Sequence, residues 1–216
     1  MKSLANTLFA SALTTVVQAV NPVTPVLDDR GCAAYPLYGP GTGFVAHFAF
    51  TPNQCVDPIT QETCSIEGWD TSIEGIKVEG QEHITSGYIT IVGRKDEASG
   101  RLQCTEERGV EALTIDPTGG ETDYSFNKIA VANRPKAANL MWGLPEEETI
   151  PIEPYHHVID GEEQEGTFLG SQNVTTWAIK QLEGGQYEDW IFRLLLPGGE
   201  TLQDGESKTF LKVGYE

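Results

Sequence analysis

The feature that most constrains the fold is a pair of apolar runs separated by a glycine-rich turn. The first run reads TTWAIKQL at residues 175–182, the turn reads EGGQ at residues 183–186, and the second run reads YEDWIFRLLL at residues 187–196. Large apolar side chains recur there at every second position, which is the period of a β-strand. Two such runs around Gly-Gly predict a β-hairpin.

Shorter runs of the same kind predict further strands. They lie at residues 43–50, 73–78, 88–92, 110–115, 124–131, 140–143, 155–159, 167–169 and 209–215. Turn-forming residues separate them, and apolar residues seldom recur at helical spacing. About ten short strands at turn-marked intervals predict an all-β, single-domain fold. We expect an antiparallel β-sandwich or β-barrel with room for an internal ligand cavity.

The amino-terminal segment has the composition of an export signal. Lys2 is followed by an apolar run at residues 4–17, and small residues precede the expected cleavage point after residue 19. The pattern predicts a signal peptide at residues 1–19 and one β-rich domain at residues 20–216, secreted or held in the lumen of the secretory pathway. The run is shorter than a membrane-spanning helix requires. In an exported chain, the sequon Asn-Val-Thr at Asn173 predicts a glycosylated surface asparagine.

The four cysteines, Cys32, Cys55, Cys64 and Cys104, form an even set. Oxidising compartments favour disulfides, and the sequence lacks the C-x-x-C pairs typical of a four-cysteine zinc site. We favour the pairs Cys55–Cys64 and Cys32–Cys104, although sequence alone does not separate them from the other two pairings.

The chain is strongly acidic, with 32 Asp and Glu residues against 14 Lys and Arg residues and a formal net charge of −18. An acidic surface repels nucleic-acid phosphates and anionic membranes, so neither is expected as a partner. The sequence contains no calcium-binding loop of EF-hand spacing, and we expect no metal and no cofactor. The oligomeric state is left open.

The sequence also lacks the common signatures of nucleophilic, metal-dependent and nucleotide-binding enzymes. Candidate site residues are therefore taken from the faces of the predicted strands. The hairpin places large aromatic side chains on one face, either as core or as a wall for an apolar or planar ligand. The predicted ligand-binding residues are Trp142, Trp177, Trp190, Phe192, Lys180 and His47.

Two adjacent histidines stand in the predicted strand at residues 155–159. Neighbouring side chains of a strand point to opposite faces, so His156 and His157 are not expected to share a metal ion. His157 falls on the more apolar face with Tyr155, whereas His156 is expected on the acidic exterior. An imidazole beside a phenol in a pocket can move a proton near neutral pH. His157, Tyr155 and Arg193 are the predicted catalytic residues, and a buried structural histidine is the alternative.

In overall format the chain resembles the hetero-Diels–Alderases of fungal tropolone sesquiterpenoid pathways. The shared features are an export signal, an acidic composition, four cysteines, a short β-rich domain and an aromatic hairpin. The resemblance implies a cofactor-free pericyclase of secondary-metabolite biosynthesis that joins a tropolone quinone methide to a terpene alkene. It assigns no individual residues. Such a reaction needs two small apolar or planar substrates held close together, with a hydrogen bond to the heterodiene oxygen.

Two other functions also agree with the sequence. A non-enzymatic secreted carbohydrate-binding or effector protein would present exposed Trp and Tyr side chains as platforms. A glycoside hydrolase would need two facing carboxylates about 5–10 Å apart. A closed aromatic cavity would favour the pericyclase, and a flat exposed aromatic row would favour sugar binding.

Overall fold

Antiparallel strands make up most of the chain described by the computed structural model, which covers residues 22–39, 41, 44–76, 84–92, 101–115, 124–182 and 189–215. The predicted signal peptide and the turn at residues 183–186 lie outside these ranges, as do the side chains of residues 44–47. The short helical turns are Gly31–Ala34, Pro135–Ala137 and Glu146–Glu148. Within the described ranges, no helix is long and apolar enough to cross a membrane.

Fifteen strands are described. They are β1 (Thr24–Leu27), β2 (Phe44–Val56), β3 (Thr71–Gly75), β4 (Gly87–Val92), β5 (Leu102–Thr105), β6 (Gly109–Ile115), β7 (Tyr124–Ala132), β8 (Leu140–Trp142), β9 (Thr149–Ile150), β10 (Glu153–Ile159), β11 (Glu162–Glu163), β12 (Phe168–Gly170), β13 (Thr176–Gln181), β14 (Asp189–Leu194) and β15 (Ser207–Tyr215).

Nine of these strands form a closed antiparallel barrel. Their order around the barrel is β15, β13, β14, β4, β8, β7, β6, β5 and β2, and pairing of β2 with β15 closes the ring. The predicted all-β fold is therefore confirmed, in its barrel form. The remaining strands extend the sheet: β12, β10 and β1 continue from β15, while β3, β9 and β11 flank single strands.

The barrel interior is filled by side chains from all nine strands. Alternate residues point inward, as in the hairpin, where Trp177 pairs with Leu194 and Ile179 pairs with Phe192. The largest fully buried side chains include Trp142, Trp177, Phe48, Phe50 and Phe192. Burying an aromatic side chain removes a large apolar area from water, so this row is a main source of barrel stability.

Strand β2 is longer than the predicted run at residues 43–50, because it continues through Pro52 to Val56. Pro52 pairs with Leu211 of β15, and Gln54 adopts a φ of 56° where the pairing of the two strands shifts register. A proline and a left-handed residue weaken the strand pattern in the sequence, but the long partner strand supports both positions.

The two favoured disulfides are confirmed. Cys32 bonds to Cys104 across 72 positions and ties the Gly31–Ala34 turn to β5, whereas Cys55 bonds to Cys64 across nine positions. Two disulfides indicate an oxidising compartment.

We expect the long-range disulfide to contribute more to stability than the local one, because a cross-link restricts the unfolded chain more when it closes a longer loop. Replacing Cys32 and Cys104 by Ala should lower the free energy of unfolding by about 4 kcal/mol, and replacing Cys55 and Cys64 by about 3 kcal/mol. Urea unfolding of both double variants measures the difference. Equal losses, or a larger loss for the Cys55–Cys64 pair, would contradict this assignment.

Candidate functional site

The aromatic side chains of the predicted ligand wall pack as core. Trp177 and Phe192 are fully buried, with ring centroids 6.4 Å apart in an edge-on arrangement. The indole N–H of Trp177 donates to the carbonyl of Leu169 at 2.9 Å, and that of Trp142 donates to the carbonyl of Glu74 at 3.2 Å. Trp190 is half-buried against the same core. The polar atoms of the two buried indoles are thus used within the fold.

His157 lies on the apolar side of β10, as its position in the sequence predicts, and is 1% exposed. Its ring stacks on Phe168 at 3.7 Å, meets the edge of Phe210 at 4.6 Å, and places Nε2 2.9 Å from the hydroxyl oxygen of Thr175. Burial lowers the pKa of His157 to about 4, so the imidazole is neutral at pH 7. These contacts describe a structural histidine, and a catalytic role for it stays a prediction.

Tyr155 is also buried, and its hydroxyl is committed to local contacts. The hydroxyl donates to a carboxylate oxygen of Glu153 at 2.6 Å and accepts the backbone N–H of Asn173 at 2.8 Å. Burial, and then the bond to Glu153, raises the pKa of Tyr155. Asn173 itself is exposed, which confirms its predicted surface position. Tyr155 therefore anchors the loop that carries the sequon.

His156 lies among acidic side chains, as the sequence predicts. It points to the face opposite His157, but its side chain is only 25% exposed and Nε2 lies 2.7 Å from a carboxylate oxygen of Asp28. Nδ1 lies 3.4 Å from Glu163. Hydrogen bonds from Arg30 and His156 lower the pKa of Asp28 to about 2, against the effect of burial. Its partial burial was not predicted, because β1, which had no clear sequence signal, pairs with β10 and brings Asp28 to this face.

Two other predicted residues, Lys180 and Arg193, lie together on the outer wall of the barrel. They line a cavity of about 340 Å³ between the β13–β14 hairpin and residues 136–139 and 203–206, which we call the hairpin groove. Ala178 pairs with Arg193, and Lys180 pairs with Ile191, so these side chains alternate with the core residues of the same strands. The predicted aromatic side chains and Arg193 were expected to contact the same ligand. The aromatic side chains point into the barrel and Arg193 points outward, so they do not face one cavity.

Arg193 forms a buried ion pair in the hairpin groove. Its guanidinium donates to both carboxylate oxygens of Glu206, at 2.8 and 2.6 Å, and to the carbonyls of Gly199 and Thr201. Burial alone would raise the pKa of Glu206, but bonds from Arg193 and the backbone of Gln203 hold it below its ordinary value. The pair fastens the segment at residues 199–206 to the barrel and so builds one side of the groove.

The hairpin groove is electropositive on an acidic protein. Lys136 is exposed and Lys180 is half-buried, and among the described residues neither has a carboxylate within ion-pair distance, although Lys180 helps through space to lower the pKa of Glu206. Glu206 balances Arg193, so the two lysines leave an excess of positive charge in a chain of net charge −18. The sequence predicted Lys180 and Arg193, but it gave no signal for Lys136 or Glu206, which come from distant loops.

The other predicted features do not converge on this groove. The contacts of His157 are with Thr175, Phe168 and Phe210, and none of these residues lines it. The side chain of His47 lies outside the described part of the chain. Among the described residues, no group of three or more His, Cys, Asp or Glu side chains is placed to hold a metal ion.

A second cavity, of about 290 Å³, lies beside the Cys32–Cys104 disulfide. Its lining includes Arg30, Asp29 and Glu106. It contains the predicted disulfide cysteines Cys32 and Cys104, but none of the predicted catalytic or ligand-binding residues. The hairpin groove is therefore the better candidate site.

The neutral state of His157 makes stability fall in mild acid. The unfolded state binds a proton on this residue below about pH 6.5, whereas the folded state does so only near pH 4. His157 should therefore cost about 3 kcal/mol of stability between pH 7 and pH 4. His157→Phe, which keeps the ring contacts, should show a smaller loss over that range. Urea unfolding of both proteins at the two pH values tests this, and equal losses would contradict it.

Arg193→Met should destabilise the fold, because it leaves the buried carboxylate of Glu206 without its partner. We expect a loss of about 3–5 kcal/mol. The double variant Arg193→Met/Glu206→Gln should recover part of it. Urea unfolding measures both, and Lys180→Met serves as the control with little change. A loss below about 1 kcal/mol for Arg193→Met would count against a structural ion pair.

No model of a known protein family matches this chain, and no curated protein matches it in sequence. The resemblance to hetero-Diels–Alderases therefore rests on overall format. The function has to be inferred from the contacts, charges and volume of the hairpin groove.

Proposed function

We propose that the chain is a secreted, cofactor-free pericyclase whose active site is the hairpin groove. The reaction is the hetero-Diels–Alder cycloaddition of a tropolone quinone methide with a terpene alkene. The observation that carries the proposal is the meeting of Lys180 and Arg193 in a cavity of about 340 Å³. Small-molecule sites have volumes of about 300–1,000 Å³, so the groove falls within their range.

The lining of the groove supplies both properties that a cycloaddition requires. Ile191, Leu182 and Ala137 offer apolar surface against which an alkene can pack. Lys180 offers an ammonium group at the same place. A site that holds two partners in contact removes much of the entropic barrier to their reaction.

Lys180 is the group that would act on the reacting atoms. In the cycloaddition, the C=C–C=O unit and the alkene lose their three π bonds and gain one C–C bond, one C–O bond and one new C=C bond within the former heterodiene. No proton or electron passes to the protein. A hydrogen bond from the ammonium to the heterodiene oxygen withdraws electron density and stabilises the charge that develops there. Arg193 acts differently: its bonds to Glu206, Gly199 and Thr201 position the wall of the groove.

A second candidate function is ligand binding without catalysis. It is favoured by the burial of Trp177 and Phe192, because an apolar reaction chamber would be expected to expose such rings to its substrates. Sugar binding on a flat aromatic row gains less support. Among the described residues, Tyr124 is the one aromatic side chain in the set of exposed large hydrophobic residues, and one ring does not make a row. A secreted effector or carrier protein would use the same groove.

The proposal predicts that Lys180→Met slows product formation while the fold is preserved. Loss of one donor to a developing charge should lower the rate by about tenfold to a hundredfold. The purified protein is incubated with a quinone-methide precursor and humulene, and the amount and configuration of the adduct are measured. Lys212→Met makes the same change in charge on β15 at a residue outside the groove, and should react like the wild type.

The uncatalysed mixture sets the reference for this experiment. If wild-type protein gives the same adducts in the same amounts and configuration, the pericyclase proposal fails. If Lys180→Met and Lys212→Met slow the reaction equally, catalysis does not take place in the hairpin groove.

A further inference from the structure

We infer that the hairpin groove selects a planar organic monoanion, a carboxylate or an enolate, which it holds between Lys136 and Lys180. The inference deepens the proposed function, since it assumes that the groove is a ligand site. It names the charge state of the ligand and adds Lys136, from a separate loop, as a second binding residue.

The first argument is the charge of the groove. Three cationic side chains, Lys136, Lys180 and Arg193, line it with one carboxylate, that of Glu206. The carboxylate is fully engaged by Arg193 and the backbone N–H of Gln203. Lys180 also attracts this carboxylate through space, and three cations against one carboxylate leave the lining with a net charge of +2 on a protein whose net charge is −18. An isolated positive site on an acidic surface attracts small anions and is itself stabilised by binding them.

The second argument is a buried donor that the fold does not use up. Arg193 is 4% exposed and makes four hydrogen bonds, from Nε, Nη1 and twice from Nη2. A guanidinium has five N–H groups, so one N–H on Nη1 has no described partner. A donor at a buried guanidinium is matched well by an anionic oxygen, because charge-assisted hydrogen bonds are the stronger ones.

The third argument concerns shape. Ile191 and Leu182 bring apolar side chains to the same cavity, and Ala137 adds a small one. A free phosphate or sulfate would leave these surfaces without a partner, whereas a planar ring that carries a carboxylate or enolate covers them. The volume of about 340 Å³ leaves room for a ring that carries such a group.

Benzoate and benzamide form a matched pair of probes, because they share a planar ring and differ in charge. Each is titrated into the isotopically labelled full protein at low ionic strength, and backbone amide shifts in the NMR spectrum are followed. Benzoate should shift the amides of Ala137, Leu182 and Ile191, and benzamide should bind about tenfold more weakly. Lys136→Met and Lys180→Met should each weaken benzoate about fivefold. Lys212→Met removes one positive charge, as the two groove variants do, and should bind benzoate like the wild type.

Three results would overturn the inference: equal affinity for the two probes, benzoate shifts confined to residues outside the groove, or lysine variants that bind benzoate as the wild type does. The benzoate titration and the cycloaddition assay can fail independently of each other. Benzoate binding without any acceleration of the cycloaddition leaves the anion site standing and removes the pericyclase. Acceleration without benzoate binding removes the anion site and leaves the pericyclase.

Discussion

Pairing of β2 with β15 is the interaction on which the rest of the structure depends. The two strands align Phe50 with Val213 and Phe48 with Tyr215, and so turn an open sheet into a ring. An open sheet leaves a row of unpaired backbone groups at each edge, and closure removes that liability for the barrel strands. Closure also encloses the aromatic row, because Phe48, Phe50, Trp177 and Phe192 need partners on every side to be fully buried.

Because side chains fill the barrel interior, the candidate site lies on the outer wall. The side chains of β13 and β14 alternate, so the same two strands supply Trp177 and Phe192 to the core and Lys180 and Arg193 to the groove. The packed core therefore also fixes the groove, because neither β13 nor β14 can shift without disturbing the packing of Trp177 and Phe192. On the loop side, rigidity comes from the ion pair between Arg193 and Glu206. A site built on strands and fastened by a buried pair holds its geometry better than one on free loops.

The sequence predicted those features that depend on local alternation. The strands around His157, Trp177 and Phe192 and the inward direction of these side chains follow from a period of two, which short segments display by themselves. The two disulfides also match the pairs favoured from the sequence, Cys32–Cys104 and Cys55–Cys64. Strand β1 was missed because Thr24–Leu27 is mostly exposed and has no clean alternation. Strand β5 was missed because Leu102 and Cys104 are its only apolar residues, which is too few to show a period.

The candidate site was predicted only in part, since its composition depends on contacts between distant segments. Lys180 and Arg193 were identified from the hairpin, but Lys136 and Glu206 reach them through loops whose path the sequence does not specify. His157 was assigned to the correct face, yet that face is covered by Phe168 of β12 and Phe210 of β15. Local pattern tells which way a side chain points, and only tertiary pairing tells what it meets.

The closing strand pair also has a consequence for the order of events in biosynthesis. Asn53 and Thr209 bond to each other although they are 156 positions apart, so the ring cannot close until β15 has been synthesised. Until then the aromatic row is exposed to solvent and to other nascent chains, and contacts of such long range form slowly. The Cys55–Cys64 loop can be oxidised much earlier, while the barrel is still open. Chaperones of an oxidising compartment would therefore meet a chain that is partly cross-linked but not yet enclosed.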